Sequence, residues 1–119
     1  MKLVTQKIYL MSFNVKTIPK FEKELKRLAK KYSSLKNEYF DLVQKLKEYP
    51  VQGTAIGNNC YKIRLGIASK CKGKSGGARV IAYVQVTDTT VFLLTIYDKK
   101  EQENIPDKEI TELLKFIPE

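Results

Sequence analysis

The sequence predicts an α+β fold: an N-terminal strand and a helical hairpin packed on a small, mainly antiparallel sheet, with a helix at the C-terminal end. Three observations predict it. Apolar residues recur at helical spacing from Ile18 to Leu46, the period changes to two after Gly53, and two strongly apolar runs then precede a last amphipathic stretch. At 119 residues, 43% of them hydrophobic and 29% charged, the chain has the size and balance of one ordinary globular domain, so a single domain over 1–119 is expected.

Residues Lys7 to Val15 read as the first strand, after which Thr17 is placed to cap a helix whose early Pro19 needs no amide donor. Ile18, Phe21, Leu25, Leu28, Ala29 and Tyr32 form one stripe of that helix, with the lysines mostly off it. A second helix follows Ser33 and Ser34 with the stripe Leu35, Tyr39, Leu42, Val43 and Leu46. It stops before Pro50, whose ring disfavours a helical Tyr49. The short connection implies an antiparallel hairpin.

Tyr61, Ile63, Leu65 and Ile67 share one face of the next strand, and Lys62 and Arg64 point from the other. A loop rich in glycine and lysine, Lys70 to Gly77, leads to ARVIAYVQV, and Asp88 and Thr89 turn the chain into VFLLTIYD. Both runs are apolar on both faces, which is the pattern of strands at a sheet centre covered on each side. A last helix starts near Asn104, with Pro106 in its first turn and Ile110, Leu113, Leu114 and Ile117 on one stripe.

Lysine and arginine number 22 against 13 aspartates and glutamates, a formal net charge of +9 that favours polyanions. The distribution sharpens this. From Val51 to Thr87 there is no carboxylate, while Lys62, Arg64, Lys70, Lys72, Lys74 and Arg79 all fall inside that stretch. The first residues, MKLVTQKIYLMSFNVK, are interrupted by Thr5, Gln6, Lys7 and Ser12, too polar for a secretory or membrane-spanning segment, so a cytoplasmic protein without a membrane partner is expected.

Several chemistries are disfavoured. With no histidine and two isolated cysteines, Cys60 and Cys71, the chain lacks a tetrahedral zinc set, and no metal or other cofactor is expected. The two thiols bracket an extended segment that would hold them too far apart for a disulfide. The GKS at Gly73 to Ser75 is no P-loop, because Ala68 stands where the first glycine belongs and a strand follows. The Lys70 to Gly77 loop suits a different task. Its backbone amides and Lys70, Lys72 and Lys74 can approach a phosphate closely. The absence of histidine also removes the usual acid and base of a metal-free ribonuclease. The carboxylates lie on the helices or after the last strand, away from the basic segment, so Lys, Arg and Tyr must perform any chemistry on RNA. Crowded cations disfavour one another's protonation, which makes Lys62 the candidate base. Arg64 and Arg79 have the fixed charge and forked donors to hold a pentavalent phosphorane while a ribose 2′-hydroxyl attacks. Tyr97 and Lys99, with Lys100, are candidates to protonate the leaving 5′-oxygen or bind flanking phosphates.

The ordered motifs Tyr61-Lys62-Ile63-Arg64-Leu65, Gly73-Lys74-Ser75-Gly76-Gly77-Ala78-Arg79 and Tyr97-Asp98-Lys99-Lys100-Glu101 resemble the RelE/HigB superfamily of toxins, over most of the chain. The lysine-rich FEKELKRLAKKY hairpin also fits. The resemblance implies a RelE-like fold and a type II toxin-antitoxin protein that enters the ribosomal A site, cuts messenger RNA and is held inactive by a cognate antitoxin. By position it assigns the family's basic pair to Lys62 and Arg64, its strand-entry arginine to Arg79 and its late basic residue to Lys99 or Lys100. One departure stands out. Where some members carry a tyrosine that stacks on the substrate base, this chain reads Asn104-Ile105-Pro106, which leaves the stacking to Tyr97 or to a different residue. Two other functions stay open: a non-catalytic poison of DNA gyrase, like the related ParE branch, and a plain RNA-binding module.

Overall fold

The structure is a computed structural model that describes residues 12–70 and 77–118. In chain order it contains β1 (Asn14–Thr17), α1 (Pro19–Lys31), α2 (Leu35–Glu48), β2 (Thr54–Gly57), β3 (Cys60–Leu65), β4 (Ala78–Gln85), β5 (Thr90–Asp98) and α3 (Asp107–Leu114). The strands form one five-stranded sheet in the order β1-β5-β4-β3-β2. β1 runs parallel to β5 and every other pairing is antiparallel.

The first strand ends later than its sequence pattern suggests, because Val15, Lys16 and Thr17 pair with Val91, Phe92 and Leu93 of β5. Its expected beginning, from Lys7 to Met11, lies outside the described residues. Thr17 is therefore strand and not a cap: Ile18, in extended conformation, precedes the helix, and the Thr17 hydroxyl donates to the Glu22 carboxylate. Pro19 opens α1 where its missing amide costs nothing. Phe21 and Leu28 of α1 and Leu35, Leu42 and Leu46 of α2 are buried, with Tyr32 closing the stripe. α2 begins after Ser34, whose hydroxyl accepts the Ser69 amide at 2.9 Å, while Glu38 accepts the Ala68 amide at 2.7 Å. The first turn of α2 thus holds the short 3-10 turn Ala68–Lys70, which is the root of the basic loop.

The sheet has one strand that periodicity does not announce. β2 is short and mostly exposed, and it pairs with β3 through a two-residue turn in which Asn58 and Asn59 have φ of 55° and 59°. Two left-handed residues give the turn whose twist suits a hairpin, and asparagine tolerates that conformation. β3 is correspondingly shorter than the Tyr61–Ile67 reading, ending at Leu65. β4 and β5 are the inner strands, and all nine residues of β5 are buried. Thr89, with φ of 47°, makes the turn between them.

Between Ile81 and Ala82 the pairing slips by one residue: Ile81 faces Thr95, Ala82 faces Leu93, and Leu94 has no partner across. This bulge inverts the alternation along β5. α3 starts three residues later than the pattern implies, with Pro106 preceding it instead of lying inside the first turn. Ile110 and Leu113 are buried, and Leu114 and Ile117 pack at the core margin. The result is a three-layer arrangement. α1 and α2 cover the sheet face that carries Ile63, Leu65 and Val80, and α3 covers one end of the other face, near Tyr83.

Candidate functional site

The half of the second face that α3 leaves open carries the basic side chains. β3 and β4 pair without a slip, so Arg64 lies directly opposite Arg79, and Arg79 in turn lies opposite Tyr97. Residues directly opposite share a face with side-chain roots about 5 Å apart. Arg64, Arg79 and Tyr97 therefore form one row across three strands. Lys62, two residues from Arg64, shares that face opposite Ile81, on the diagonal from Arg79 at roughly 7 Å.

Gly77 makes the alignment possible. Its φ is +67°, and a Cβ there would lie 2.6 Å from the Leu65 carbonyl oxygen, so only glycine lets the chain enter β4 in this register. Gly53 does the same for the edge, where a Cβ would lie 2.2 Å from the Lys62 carbonyl oxygen.

The members of the row differ in exposure. Arg64 is exposed and Lys62 half-buried, whereas Arg79 is only 7% exposed and donates from its guanidinium to the Ala78 carbonyl at 3.2 Å. Among the described residues no carboxylate lies within 4 Å of Lys62 or Arg64. The Lys62 ammonium donates instead to Oδ1 of Asn104 at 3.4 Å. Two like charges facing each other on β3 and β4 repel, and an anion between them would relieve the repulsion.

Tyr97 is 5% exposed, and its hydroxyl is buried without a hydrogen-bond partner among the described residues. Burial pushes the phenol upward while the neighbouring Arg79 charge draws it back, so the group is a neutral O–H at physiological pH. The ring is enclosed, not displayed on the surface. Lys99 is half-buried, and its amide donates to the Gly77 carbonyl at 3.1 Å, which joins the end of β5 to the mouth of the basic loop. Lys100 is exposed beside it, and Lys70 ends the 3-10 turn at the other root of that loop. Lys72 and Lys74 lie outside the described residues.

Asp98 adjoins Tyr97 but faces the opposite way. It is fully buried against the helical hairpin, where it accepts the Tyr32 hydroxyl at 2.7 Å. Its other oxygen accepts the Lys100 amide at 2.9 Å, and its carbonyl accepts the Glu101 and Gln102 amides. This carboxylate is on the last strand and not after it, yet it is separated from the cations by the thickness of the sheet. Glu101 also turns away from the row: Arg27 and Lys31 of α1 bind it at 2.7 and 3.3 Å. These hydrogen bonds hold the Glu101 carboxyl below its ordinary value and raise both cations.

The contacts of the Asn104, Asp98 and Tyr32 side chains are not foreseen by the sequence pattern, which places Tyr32 only on the apolar stripe of the first helix. A carboxylate at the end of an apolar strand was a usable signal for Asp98, since such a group is kept only when it is hydrogen-bonded. Cys60 is buried, with its thiol pushed up to about 11 by loss of solvent, which leaves it a packing residue. Its proposed separation from Cys71 involves a position outside the described residues. Among the described residues no group of three or more Cys, Asp and Glu side chains could hold a metal ion, and no helix is long and apolar enough to cross a membrane.

The family described as the RelE toxin of the RelE/RelB toxin-antitoxin system matches residues 17–117 of this chain. Among solved structures, the chain is similar to a double arginine-to-alanine mutant of the E. coli toxin RelE in the free state. The two are 20% identical with a TM-score of 0.59, over 91% of this chain and 100% of that one. It is also similar to the isolated E. coli RelE toxin in a P21 crystal form, at 18% identity and a TM-score of 0.54, over 87% of this chain and 97% of the other. At that identity the likeness is one of fold.

Proposed function

This chain belongs to the RelE family of toxins from toxin-antitoxin systems, and from that premise we propose that it is a ribosome-dependent endoribonuclease that cuts messenger RNA with cationic side chains. The observation that carries the reading is the facing pair Arg64 and Arg79, with Lys62 on the same open face and no described carboxylate within 4 Å of Lys62 or Arg64.

In the proposed reaction, Lys62 takes the proton of a ribose 2′-hydroxyl as that oxygen attacks the adjacent phosphorus. Arg64 and Arg79 hold the two non-bridging oxygens as negative charge builds on them. The bond from phosphorus to the 5′-oxygen then breaks, leaving a 2′,3′-cyclic phosphate on one fragment and a 5′-hydroxyl on the other. Tyr97 or Lys99 supplies the proton to the leaving oxygen. Lys70, Lys72, Lys74 and Lys100 bind flanking phosphates, which localises the protein without reading sequence. The open face has cations to grip a phosphate, the ribosome does the aligning, and naked RNA is cut slowly. The work takes place in the cytoplasm, and the cognate antitoxin that the family implies silences it by covering the basic face or displacing a toxin helix.

The test is a purified translation system. The wild-type protein cuts messenger bound in the ribosome, and Arg79→Ala lowers the rate by about 10²–10³-fold. Intact messenger with the wild type, together with inhibition of DNA supercoiling, overturns this reading in favour of a gyrase poison.

A further inference from the structure

Lys62 meets a single polar side chain among the described residues, the amide of Asn104. The two are 42 positions apart in sequence, so the contact is made by the fold and not by local geometry. The segment that delivers Asn104 is fixed at several points. Asp98 accepts the Lys100 amide on its carboxylate and the Glu101 and Gln102 amides on its carbonyl, which winds the chain into a tight turn. Glu101 ties that turn to α1 through Arg27 and Lys31. Gln102 then donates from its side-chain amide to the Asn104 carbonyl at 2.9 Å, setting the backbone of Asn104 itself. Pro106 and α3 fix the far side.

We infer that Asn104 is a positioning residue, holding the Lys62 amine over the Arg64 and Arg79 pair; this rests on the nuclease reading above. The residue type matters. An amide oxygen accepts a hydrogen bond from a lysine nitrogen in its charged or its neutral form, so it orients the amine without fixing the proton. A carboxylate at the same point would bind the ammonium form and hold the proton on. The other groups around Lys62 do not supply such a lock. They are Arg64 on its own strand, Arg79 and Ile81 on β4, Thr54 opposite on β2, and Tyr97 on β5 beyond them. From the turn comes Asn104, and among the described residues no carboxylate forms an ion pair with Lys62. Asn104 thus steers a base among cations at a place where an acid would disable it.

The experiment uses the full chain with Asn104→Ala and the isosteric Asn104→Asp, each first shown to unfold at the wild-type temperature. Single-turnover cleavage of ribosome-bound messenger is followed across pH. Asn104→Ala is expected to lose about ten- to a hundredfold in the cleavage step, with ribosome affinity unchanged. Asn104→Asp is expected to move the acid limb of the pH–rate profile upward by about one unit, because the base must now be freed from a carboxylate. A role confined to the stability of the turn would leave that limb where it is. In parallel, the Lys62 13Cε resonance is compared in the free protein, assigned by its loss in Lys62→Arg, and is expected to shift in both Asn104 variants. If the wild type cuts but neither rate, limb nor resonance responds, the inference is overturned. If the wild type does not cut while the resonance responds, the nuclease reading fails and the contact stands as pure architecture, which also overturns the catalytic positioning.

Discussion

The two faces of the sheet are made by the same strands and obey opposite rules. On the hairpin face, Ile63, Leu65, Val80 and Ile96 are buried under α1 and α2, and the Asp98 carboxylate has partners in the Tyr32 hydroxyl, the Lys100 amide and, at 3.8 Å, the Lys31 ammonium. On the other face, beyond the reach of α3 and among the described residues, Lys62 and Arg64 stand without an acid within 4 Å and the buried Tyr97 hydroxyl without a hydrogen-bond partner. The first face spends its polar groups on internal satisfaction. The second keeps Lys62 and Arg64 apart from any described acid, a pattern that suits a face on which a ligand supplies the countercharge. Alternation along β3 puts the two regimes one residue apart: Ile63 and Leu65 are buried in the core, and Lys62 and Arg64 point from the open face.

This contrast can be broken most strongly from the hairpin side. Phe21 is 0% exposed, and Phe21→Ala is expected to cost about 3–5 kcal/mol in urea unfolding. Arg64→Ala should show the reverse profile. Cleavage of ribosome-bound messenger falls about a hundredfold, while stability stays within about 0.5 kcal/mol, since the side chain is exposed and faces a like charge. A measured loss of stability as large as that of Phe21→Ala would place Arg64 in the architecture instead. Tyr32→Phe sharpens the account of Asp98. It removes a hydrogen bond to a buried carboxylate and is expected to cost about 1.5–3 kcal/mol by chemical denaturation.

The smallest effect is at the surface. Glu101 is held below its usual value by Arg27 and Lys31, so its contribution is present above the ordinary glutamate range and is lost as pH falls through its lowered value. The pair is exposed, so Glu101→Gln costs roughly 0.2–1 kcal/mol at neutral pH and low salt. That difference from wild type vanishes in strong acid and shrinks in high salt. A difference that persisted under both conditions would mean that Glu101 acts by packing.

Much of the architecture is legible because periodicity is a local property. The stripes of α1 and α2, the apolar runs of β4 and β5 and the alternation of β3 need only neighbouring residues to be read. β2 was not legible from hydrophobicity because Thr54, Ala55 and Gly57 are exposed, yet the Gly57-Asn58-Asn59 sequence carried a turn signal in its tolerance of left-handed backbone. The end of β1 was misjudged for a different reason: Thr17 becomes strand only through parallel pairing with Leu93, more than seventy positions away. The candidate site divides along the same line. Shared facing of Lys62 and Arg64 follows from spacing alone, whereas the alignment of Arg79 depends on the register across the basic loop. The contact with Asn104 and the direction of Asp98 depend on a turn and a bulge, which no local pattern encodes.

That bulge has a consequence for how the gene tolerates change. Because Leu94 is the extra residue, everything after it on β5 is set one step out of phase with what precedes it. Loss of that single codon in frame would remove the bulge and leave Thr95 opposite Ile81 and Tyr97 opposite Arg79, so the strand would straighten without turning any side chain of the row. The extra residue is thus slack, able to absorb a one-residue loss before the change reaches the row that ends the strand.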